Sequence, residues 1–215
     1  MFKQIPMQGK SIKIKVCGMR DGDNIHALEK AAPDMMGFIC WEGSKRCIKE
    51  KPSYLPVCKK VGVFVEPTLE LVRYWADQLH LDYIQLHGLE SEKLCEQIKQ
   101  VTGLKLFKAI SIRSKEDIEE TLKYQSVADL FVFDTKCVSV GGSGQQFDWN
   151  ILQDYEGERP FLLSGGIGPE DSERILSWYH PQCVGIDINS RFELSPAVKD
   201  TKAISSFIRK IRNHE

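Results

Sequence analysis

The chain has 215 residues, enough to bury a substantial core, and its 29 Lys and Arg nearly balance its 30 Asp and Glu. This balance gives no electrostatic reason to expect nucleic acid or an anionic membrane as a partner. The first fifteen residues lack the apolar core of a signal peptide, and no run of about 18 apolar residues occurs to span a bilayer. We therefore expect a soluble, cytoplasmic monomer or homodimer that acts on a small molecule.

The seven cysteines stand at positions 17, 40, 47, 58, 95, 137 and 183, without a C-x-x-C spacing. An odd number scattered in this way is typical of reduced thiols and not of a disulfide framework. None lies at metal-site spacing from a histidine. The sequence therefore predicts no metal site.

Short apolar runs predict eight strands along the chain. They cover residues 12–16, 35–40, 61–65, 83–86, 104–110, 130–133, 161–163 and 184–188. Polar segments separate the runs at intervals of roughly 25 residues, as in a chain that alternates strands with helices. One strand-helix-strand unit is already visible within the first forty residues.

Capping residues and helical spacing predict helices between the strands. Asp21 or Asp23 starts the first helix, Thr68 caps residues 69–79, and Ser91 opens a helix that Gly103 ends. Five further helices are predicted. One begins near residue 49, with Pro52 in its first turn, and another spans 114–124, with Ile118 and Leu122 on one face. A short helix begins at 148, the next has Pro169 in its first turn, and the last spans 198–211.

Eight strands alternating with helices predict a single-domain (β/α)₈ barrel over residues 1–215, with residues 1–11 as a leader before the first strand. A doubly wound open sheet is the alternative. The alternation favours the closed barrel because it continues to the carboxyl end and leaves no residues for a second domain.

In a closed parallel barrel the loops that follow the strands meet on one face, and that face holds the active site. Residues at the strand ends and in the loops that follow them are therefore candidates. The candidates are Cys17 after the first strand, Arg46 after the second, His87 after the fourth, Asp134 after the sixth and Asp187 at the end of the eighth. His87 has a turn or supporting role as its alternative, and Asp187 either binds a sugar hydroxyl or stabilises a turn.

Glycines and hydroxyls follow the last three strands, where phosphate sites of barrels usually form. Their backbone N–H groups suit a phosphate, although glycines also make tight turns without any ligand. The candidate phosphate ligands are Gly142, Ser143 and Gly144, then Ser164, Gly165 and Gly166, then Asn189 and Ser190. Their convergence favours phosphate.

Taken together, these motifs resemble one family. The segments are Lys15-Val16-Cys17-Gly18, Ser44-Lys45-Arg46, Val61-Gly62-Val63-Phe64, Gln85-Leu86-His87-Gly88, Phe133-Asp134-Thr135, Gly141-Gly142-Ser143-Gly144 with Phe147-Asp148-Trp149, and Leu163-Ser164-Gly165-Gly166. In this order they resemble the phosphoribosylanthranilate isomerases, from about residue 12 to 212. Each motif is weak alone, and the seven in sequence are specific.

The resemblance implies a cofactor-free Amadori rearrangement in tryptophan biosynthesis, on a phosphorylated small-molecule substrate. By motif, Asp134 is the general acid that opens the furanose, Cys17 is the general base that removes the C2′ proton, and Arg46 binds the anthranilate carboxylate. Each residue also has an interpretation that needs no resemblance to a family. Cys17 is then a small buried apolar residue, Asp134 a helix or turn cap, and Arg46 a solvated loop charge.

The chain departs from the family pattern in the eighth loop. Where the family has Ser-Ser-Gly-Val-Glu, this chain reads Asn189-Ser190-Arg191-Phe192-Glu193. If the glycine is needed for a positive φ or for close approach of the phosphate, Arg191 strains or blocks that part of the site; a guanidinium near a phosphate also offers a compensating charge.

Two rival functions stay open from the sequence. One is another phosphate-binding barrel isomerase or epimerase, since a fold does not fix a function. Common epimerases are expected to carry metal-ligand histidines and acidic residues at strand ends, so the pairing of Cys17 with Asp134 argues against this rival. The other is a non-catalytic sugar-phosphate-binding barrel, which the presence of Cys17, Asp134 and Arg46 argues against.

Overall fold

A computed structural model describes residues 12–135 and 146–213. Within these ranges eight parallel strands pair in sequence order and close, β8 against β1, into a barrel. The strands are β1 Lys13–Val16, β2 Met35–Ile39, β3 Lys59–Phe64, β4 Tyr83–Leu86, β5 Lys105–Ile112, β6 Leu130–Thr135, β7 Phe161–Leu163 and β8 Cys183–Ile188. The predicted (β/α)₈ barrel is therefore confirmed, and the alternative of an open sheet is excluded. The predicted leader, residues 1–11, lies outside the described ranges.

Helical segments connect most of the strands. The α-helices are α1 Gly22–Glu29, α2 Leu69–Leu79, α3 Glu92–Thr102, α4 Ser172–Ser177 and α5 Thr201–Arg212, and 3₁₀ helices span Lys115–Tyr124, Trp149–Asp154, Pro169–Asp171 and Ser190–Phe192. The predicted caps are confirmed, because the side chains of Asp21, Thr68 and Ser91 each accept a backbone N–H of the first helical turn. None of the helices in the described ranges has the length and apolar character to cross a membrane.

Two buried layers follow from the alternation of side chains along the strands. A small cluster fills the inside of the barrel, and a larger one lies between the barrel and the helices. The inner cluster consists of Met35, Val61, Phe107, Ala109, Val132 and Leu162. The carboxyl-end loops rest on this filled interior, which holds them in place as the floor of a site.

The helix predicted from about residue 49 is wrong. Between β2 and β3 the chain forms turns and bends, with an isolated bridge between Ile39 and Cys47. Pro52 and Pro56 lie four residues apart, and each lacks the N–H that a helix interior needs. A helix that places Pro52 in its first turn is broken by Pro56.

Two further helix predictions need correction. The segment Lys115–Tyr124 is a 3₁₀ helix with three residues per turn, so Ile118, Thr121 and Tyr124 are buried and Leu122 is 66% exposed. The last helix begins at Thr201 and not at Val198, because Asp200 caps it. Residues Val198–Lys199 instead form a short strand, β10, antiparallel to β9 at Glu193–Ser195.

Candidate active site

Cys17 stands at the carboxyl end of β1, where the chain turns away from the barrel. Its backbone N–H donates to the carbonyl of Ile188 at 2.9 Å, and Gly18 then takes a positive φ of 78°. The thiol is 5% exposed and lies against Gly37 of β2, where an added Cβ would stand 2.9 Å from Sγ. Gly37 therefore leaves the space that the thiol occupies.

An ion pair between Lys15 and Asp187 lies beside this thiol. The Nζ atom of Lys15 is 3.1 Å from each carboxylate oxygen of Asp187, and both side chains are buried. The two residues are partners in the register of β1 and β8. Burial acts to lower the pKa of Lys15, but the negative charges of Asp187 and Cys17 and the hydrogen bonds to both side chains together raise that pKa. Lys15 is thus held as a cation.

The environment of Cys17 sets how readily its thiol ionises. Burial is the largest effect, and it raises the pKa of the Cys17 thiol above its ordinary value. The positive charges of Lys15 and Lys199 oppose part of this rise, and Lys15 also makes a hydrogen bond to the sulfur. The lysines therefore favour the thiolate, which is the form that can accept a proton.

Asp134 lies at the end of β6, which β7 and β8 separate from β1. One carboxylate oxygen accepts the N–H of Thr135 at 2.9 Å, and the other is 3.3 Å from Nε2 of His87. A cavity of 840 Å³ adjoins both side chains. Because Asp134 lies at the carboxyl end of β6 and Cys17 at that of β1 in a closed parallel barrel, the acid and base candidates share one end of the barrel.

A buried ion pair anchors the loop that carries His87. The carboxylate of Glu90 accepts the N–H groups of Gly88 and Glu66 and lies 3.1 Å from Nζ of Lys108. The same Nζ donates to the carbonyl of Gly88 at 2.8 Å. These contacts fix the chain on the carboxyl side of β4 and hold the imidazole of His87 against Asp134.

The candidate phosphate ligands after β7 lie beside Asp134. Gly165 and Gly166 both take positive φ values, 89° and 65°, and a Cβ on Gly165 would stand 2.6 Å from the N of Thr135. Ser164 is buried, and its backbone N–H donates to the carbonyl of Phe133. Only glycine allows the chain to turn this closely over the end of β6.

The remaining phosphate candidates, in the loops after β6 and β8, differ in what the structure shows of them. Ser190 opens the 3₁₀ turn after β8, whereas the side-chain oxygen of Asn189 accepts from Nζ of Lys199 at 2.6 Å. Asn189 is thus joined by its side chain to the surroundings of Arg46. Gly142, Ser143 and Gly144 lie outside the described residues.

Arg191 adopts its turn without the strain that the family glycine led us to anticipate. The residue lies in the 3₁₀ turn Ser190–Phe192 and is not among the described non-glycine residues with a positive φ. Its guanidinium forms an exposed ion pair with Glu170, in the loop after β7. The substitution therefore adds a cation at the rim and leaves the backbone relaxed.

Arg46 lies in the loop after β2, as predicted, and its guanidinium is paired within the chain. Its Nε and Nη2 atoms donate to the carboxylate of Glu193 at 2.7–3.0 Å. Nζ of Lys199 donates to the same carboxylate at 2.7 Å. Gly18 lies next to this group, because a Cβ there would stand 2.9 Å from Cδ of Arg46. The carboxylate-binding candidate is therefore a neighbour of the Cys17 turn.

Three charged residues of this site were missed from the sequence: Lys15, Glu193 and Lys199. Lys15 gave a usable signal, since it is two residues before Cys17 in β1 and so points to the same face of the strand. Glu193 gave a weaker signal, as the last residue of the family pattern in the eighth loop, and Lys199 gave none, because a helix was predicted where β10 lies. Their pairing depends on the register of β9 with β10.

Comparisons with known proteins agree on one family. The family model described as N-(5′-phosphoribosyl)anthranilate (PRA) isomerase matches residues 14–210. N-(5′-phosphoribosyl)anthranilate isomerases of Phocaeicola vulgatus and Parabacteroides distasonis are 45% and 46% identical, over 93% and 92% of this chain and 97% and 92% of theirs. A solved phosphoribosyl anthranilate isomerase in complex with reduced 1-(o-carboxyphenylamino)-1-deoxyribulose 5-phosphate has a TM-score of 0.77 at 26% identity, covering 94% of this chain and all of its own. The chain belongs to the N-(5′-phosphoribosyl)anthranilate isomerase family.

Proposed function

We propose that Asp134 and Cys17 are the acid and the base with which this isomerase of tryptophan biosynthesis works. The reaction converts N-(5′-phosphoribosyl)anthranilate to 1-(2-carboxyphenylamino)-1-deoxyribulose 5-phosphate. One observation carries the assignment: the two groups able to exchange protons stand at the ends of β6 and β1, on the face where the carboxyl-end loops meet. A sugar bound between them presents a different side to each.

In the first step Asp134, in its protonated form, gives a proton to the furanose ring oxygen. The C1′–O bond breaks, the ring oxygen becomes a hydroxyl, and the anthranilate nitrogen forms a Schiff base with C1′. His87, with Nε2 3.3 Å from the carboxylate, lies where it holds the side chain of Asp134 toward the sugar. Because the proton goes to the leaving oxygen, no alkoxide has to form.

In the second step the thiolate of Cys17 removes the proton from C2′. The electron pair of the C–H bond moves toward the protonated Schiff base and gives an enolamine, which tautomerises to the ketone product. Oxidation at C2′ and reduction at C1′ balance within one molecule, so the rearrangement needs no external electron carrier. Lys15 favours the thiolate, and Asp187 holds Lys15 in place.

The remaining candidates bind the ends of the substrate. We assign the anthranilate carboxylate to Arg46, and a sugar hydroxyl to the lone pairs of Asp187 that Lys15 leaves open, since a carboxylate has about four acceptor sites. The phosphate is assigned to Ser164, Gly165, Gly166, Asn189 and Ser190 together with Gly142, Ser143 and Gly144. The positive φ values of Gly165 and Gly166 support this assignment, because such turns expose successive backbone N–H groups.

A turnover assay with the purified chain tests the activity. The anthranilate fluorescence of the substrate should fall as it is isomerised, at a rate proportional to enzyme concentration. A barrel that epimerises another sugar phosphate, or one that only binds such a ligand, gives no fluorescence change. Such a flat trace would contradict the proposal.

We further propose that the chain forms one domain, works in the cytoplasm and exists as a monomer or homodimer. The match of the family model to residues 14–210 supports one structural unit, because the match extends from β1 into α5. Sedimentation of the purified protein measures its oligomeric state. A trimer or larger assembly would contradict the last part of this proposal.

A further inference from the structure

Arg46 and three side chains near it form a connected group that we name the Arg46 cluster: Arg46, Asn189, Glu193 and Lys199. Oε1 of Glu193 accepts from Nε of Arg46 at 2.9 Å and from Nζ of Lys199 at 2.7 Å. Oε2 accepts from Nη2 of Arg46 at 2.7 Å. The side chains of Arg46, Glu193 and Lys199 are 13%, 5% and 0% exposed. The contacts thus form a buried network and not a solvated surface pair.

Glu193 forms hydrogen bonds with one edge of the Arg46 guanidinium and leaves the other edge without a hydrogen-bond partner in the described residues. Arginine carries five N–H donors on two edges, Nε with Nη2 and Nη1 with Nη2, and each edge matches one carboxylate. Glu193 occupies the first edge. The Nη1 atom makes no hydrogen bond within the described residues, so the second edge is available to a second carboxylate.

The charges of the Arg46 cluster are unequal. Arg46 and Lys199 contribute two positive charges, and Glu193 contributes one negative charge. Burial acts to raise the pKa of Glu193, but the hydrogen bonds from Arg46 and Lys199 and the charges of both together lower that pKa. Glu193 therefore stays ionised, and the cluster itself carries one more positive than negative charge, while burial lowers the pKa of Lys199 and the Cys17 thiolate offsets part of that charge. A substrate carboxylate on the open edge of Arg46 brings a further negative charge into this cationic group, which favours its binding there.

The Arg46 cluster lies beside the turn that carries the proposed base, Cys17. A Cβ on Gly18 would stand 2.8 Å from Oδ1 of Asn189 and 2.9 Å from Cδ of Arg46, so the cluster packs directly against the residue after Cys17. Glu193 and Lys199 reach it through the pairing of β9 and β10. A carboxylate held on the open edge of Arg46 lies next to the turn that carries the proposed base.

We propose that Glu193 and Lys199 are positioning residues that fix one edge of Arg46 and direct its other edge at the carboxylate of the substrate. The inference rests on the proposed role of Arg46 as the carboxylate ligand. Lys199 acts through Glu193, which it holds by a charged hydrogen bond, and Asn189 orients Lys199 in turn. In this arrangement Glu193 and Lys199 act on the substrate only through Arg46.

Paired ligands test this proposal. The first is reduced 1-(2-carboxyphenylamino)-1-deoxyribulose 5-phosphate, and the second is the same compound without the carboxyl group. For each protein we take the ratio of the two Kd values as the preference for the carboxylate. The variants are E193Q, E193D, K199M and R46M, with D82N as the control. Asp82 pairs with Lys59 and Lys60 just before β4, at the opposite end of the barrel.

The parent and D82N should prefer the carboxylate ligand by at least about tenfold, the usual worth of a charged hydrogen bond. R46M should bring the ratio near one, and E193Q and E193D should remove most of the preference, with a partial loss in K199M. The ligand without the carboxyl group should bind every variant within about threefold of the parent. In turnover, E193Q should raise KM and change kcat by less than about threefold.

The outcomes separate the inference from its premise. An unchanged ratio in R46M refutes the carboxylate role of Arg46 and the inference with it. A ratio that falls in R46M but not in E193Q and E193D refutes positioning alone. Equal weakening of both ligands in the Glu193 variants shows a general packing role and also overturns the inference. If E193Q does not fold, E193D decides by the same ratio, because it keeps the charge that balances Lys199 and withdraws the carboxylate from Arg46.

Discussion

Nζ of Lys15 lies 3.1 Å from both carboxylate oxygens of Asp187, inside the barrel and beside the thiol of Cys17. The pair forms because the two residues are neighbours in the register of β1 and β8. Two residues further along β1, the same face of the chain carries Cys17. The proposed base, directly after β1, is therefore placed next to a buried cation by the direction of that strand.

The first prediction is that K15M shifts the pH dependence of kcat/KM. A base acts when it is deprotonated, so kcat/KM rises as the pH rises through the pKa of the thiol. Burial raises that pKa and Lys15 lowers it, so removing Lys15 should raise it further and move the ascending limb to higher pH. The measurement is the pH dependence of kcat/KM from about pH 7 upward. It is made well below the melting temperature of the variant, because breaking the buried Lys15–Asp187 pair lowers the free energy of unfolding by about 3 kcal/mol.

K13M provides the control for this prediction. Lys13 belongs to the same strand but is half exposed and pairs with Asp34. Its removal should leave the ascending limb in place. An ascending limb that stays where it is in K15M, or moves to lower pH, would show that Lys15 does not support the thiolate.

The second prediction is that R46A raises KM far more than it lowers kcat. A carboxylate clamp supplies binding that is equal in the ground state and the transition state, and losing such binding appears in KM. Glu193 keeps its contact with Lys199 when Arg46 is removed, so the loop after β8 should stay folded. Steady-state kinetics measures both constants, and an unchanged KM would remove Arg46 from the site.

The third prediction is that R191G keeps kcat/KM within about tenfold of the parent, equivalent to about 1.4 kcal/mol. Arg191 contacts Glu170 in an exposed ion pair, and pairs of this kind contribute little. E170Q breaks the same pair while keeping Arg191, so it isolates the contribution of the arginine. If R191G loses several hundredfold and E170Q loses nothing, Arg191 has become an essential phosphate ligand.

The barrel was predictable because its strands are buried on both faces, so each reads as a short apolar run. The face of the site was predictable for a topological reason: in a closed parallel barrel every loop after a strand lies at the same end. Cys17, Arg46 and Asp134 could therefore be named as candidates from their positions, and the resemblance supplied the roles proposed for them. The failed helix near residue 49 shows where local patterns mislead, since Pro52 fits a first turn only until Pro56 is considered.

The partners of the site residues were not predictable in the same way. Glu193 and Lys199 meet because two very short strands pair, and neither strand has an alternating pattern long enough to recognise. Arg46 reaches Glu193 from a loop 147 residues earlier in the chain. Lys15 differs, because its burial inside an apolar strand is itself a sign that a counter-charge must lie nearby.

The assignment of acid and base is tested most directly by the kcat of D134N and C17A, measured beside the Kd of the reduced product analogue. Asn cannot protonate the ring oxygen, and Ala cannot accept the C2′ proton, so each variant should lose about 10²-fold or more in kcat. The residues proposed to bind the phosphate and the carboxylate are unchanged in both variants, so the analogue should bind each within about tenfold of the parent. If either variant turns over near the parental rate while binding the analogue normally, its proposed role is wrong.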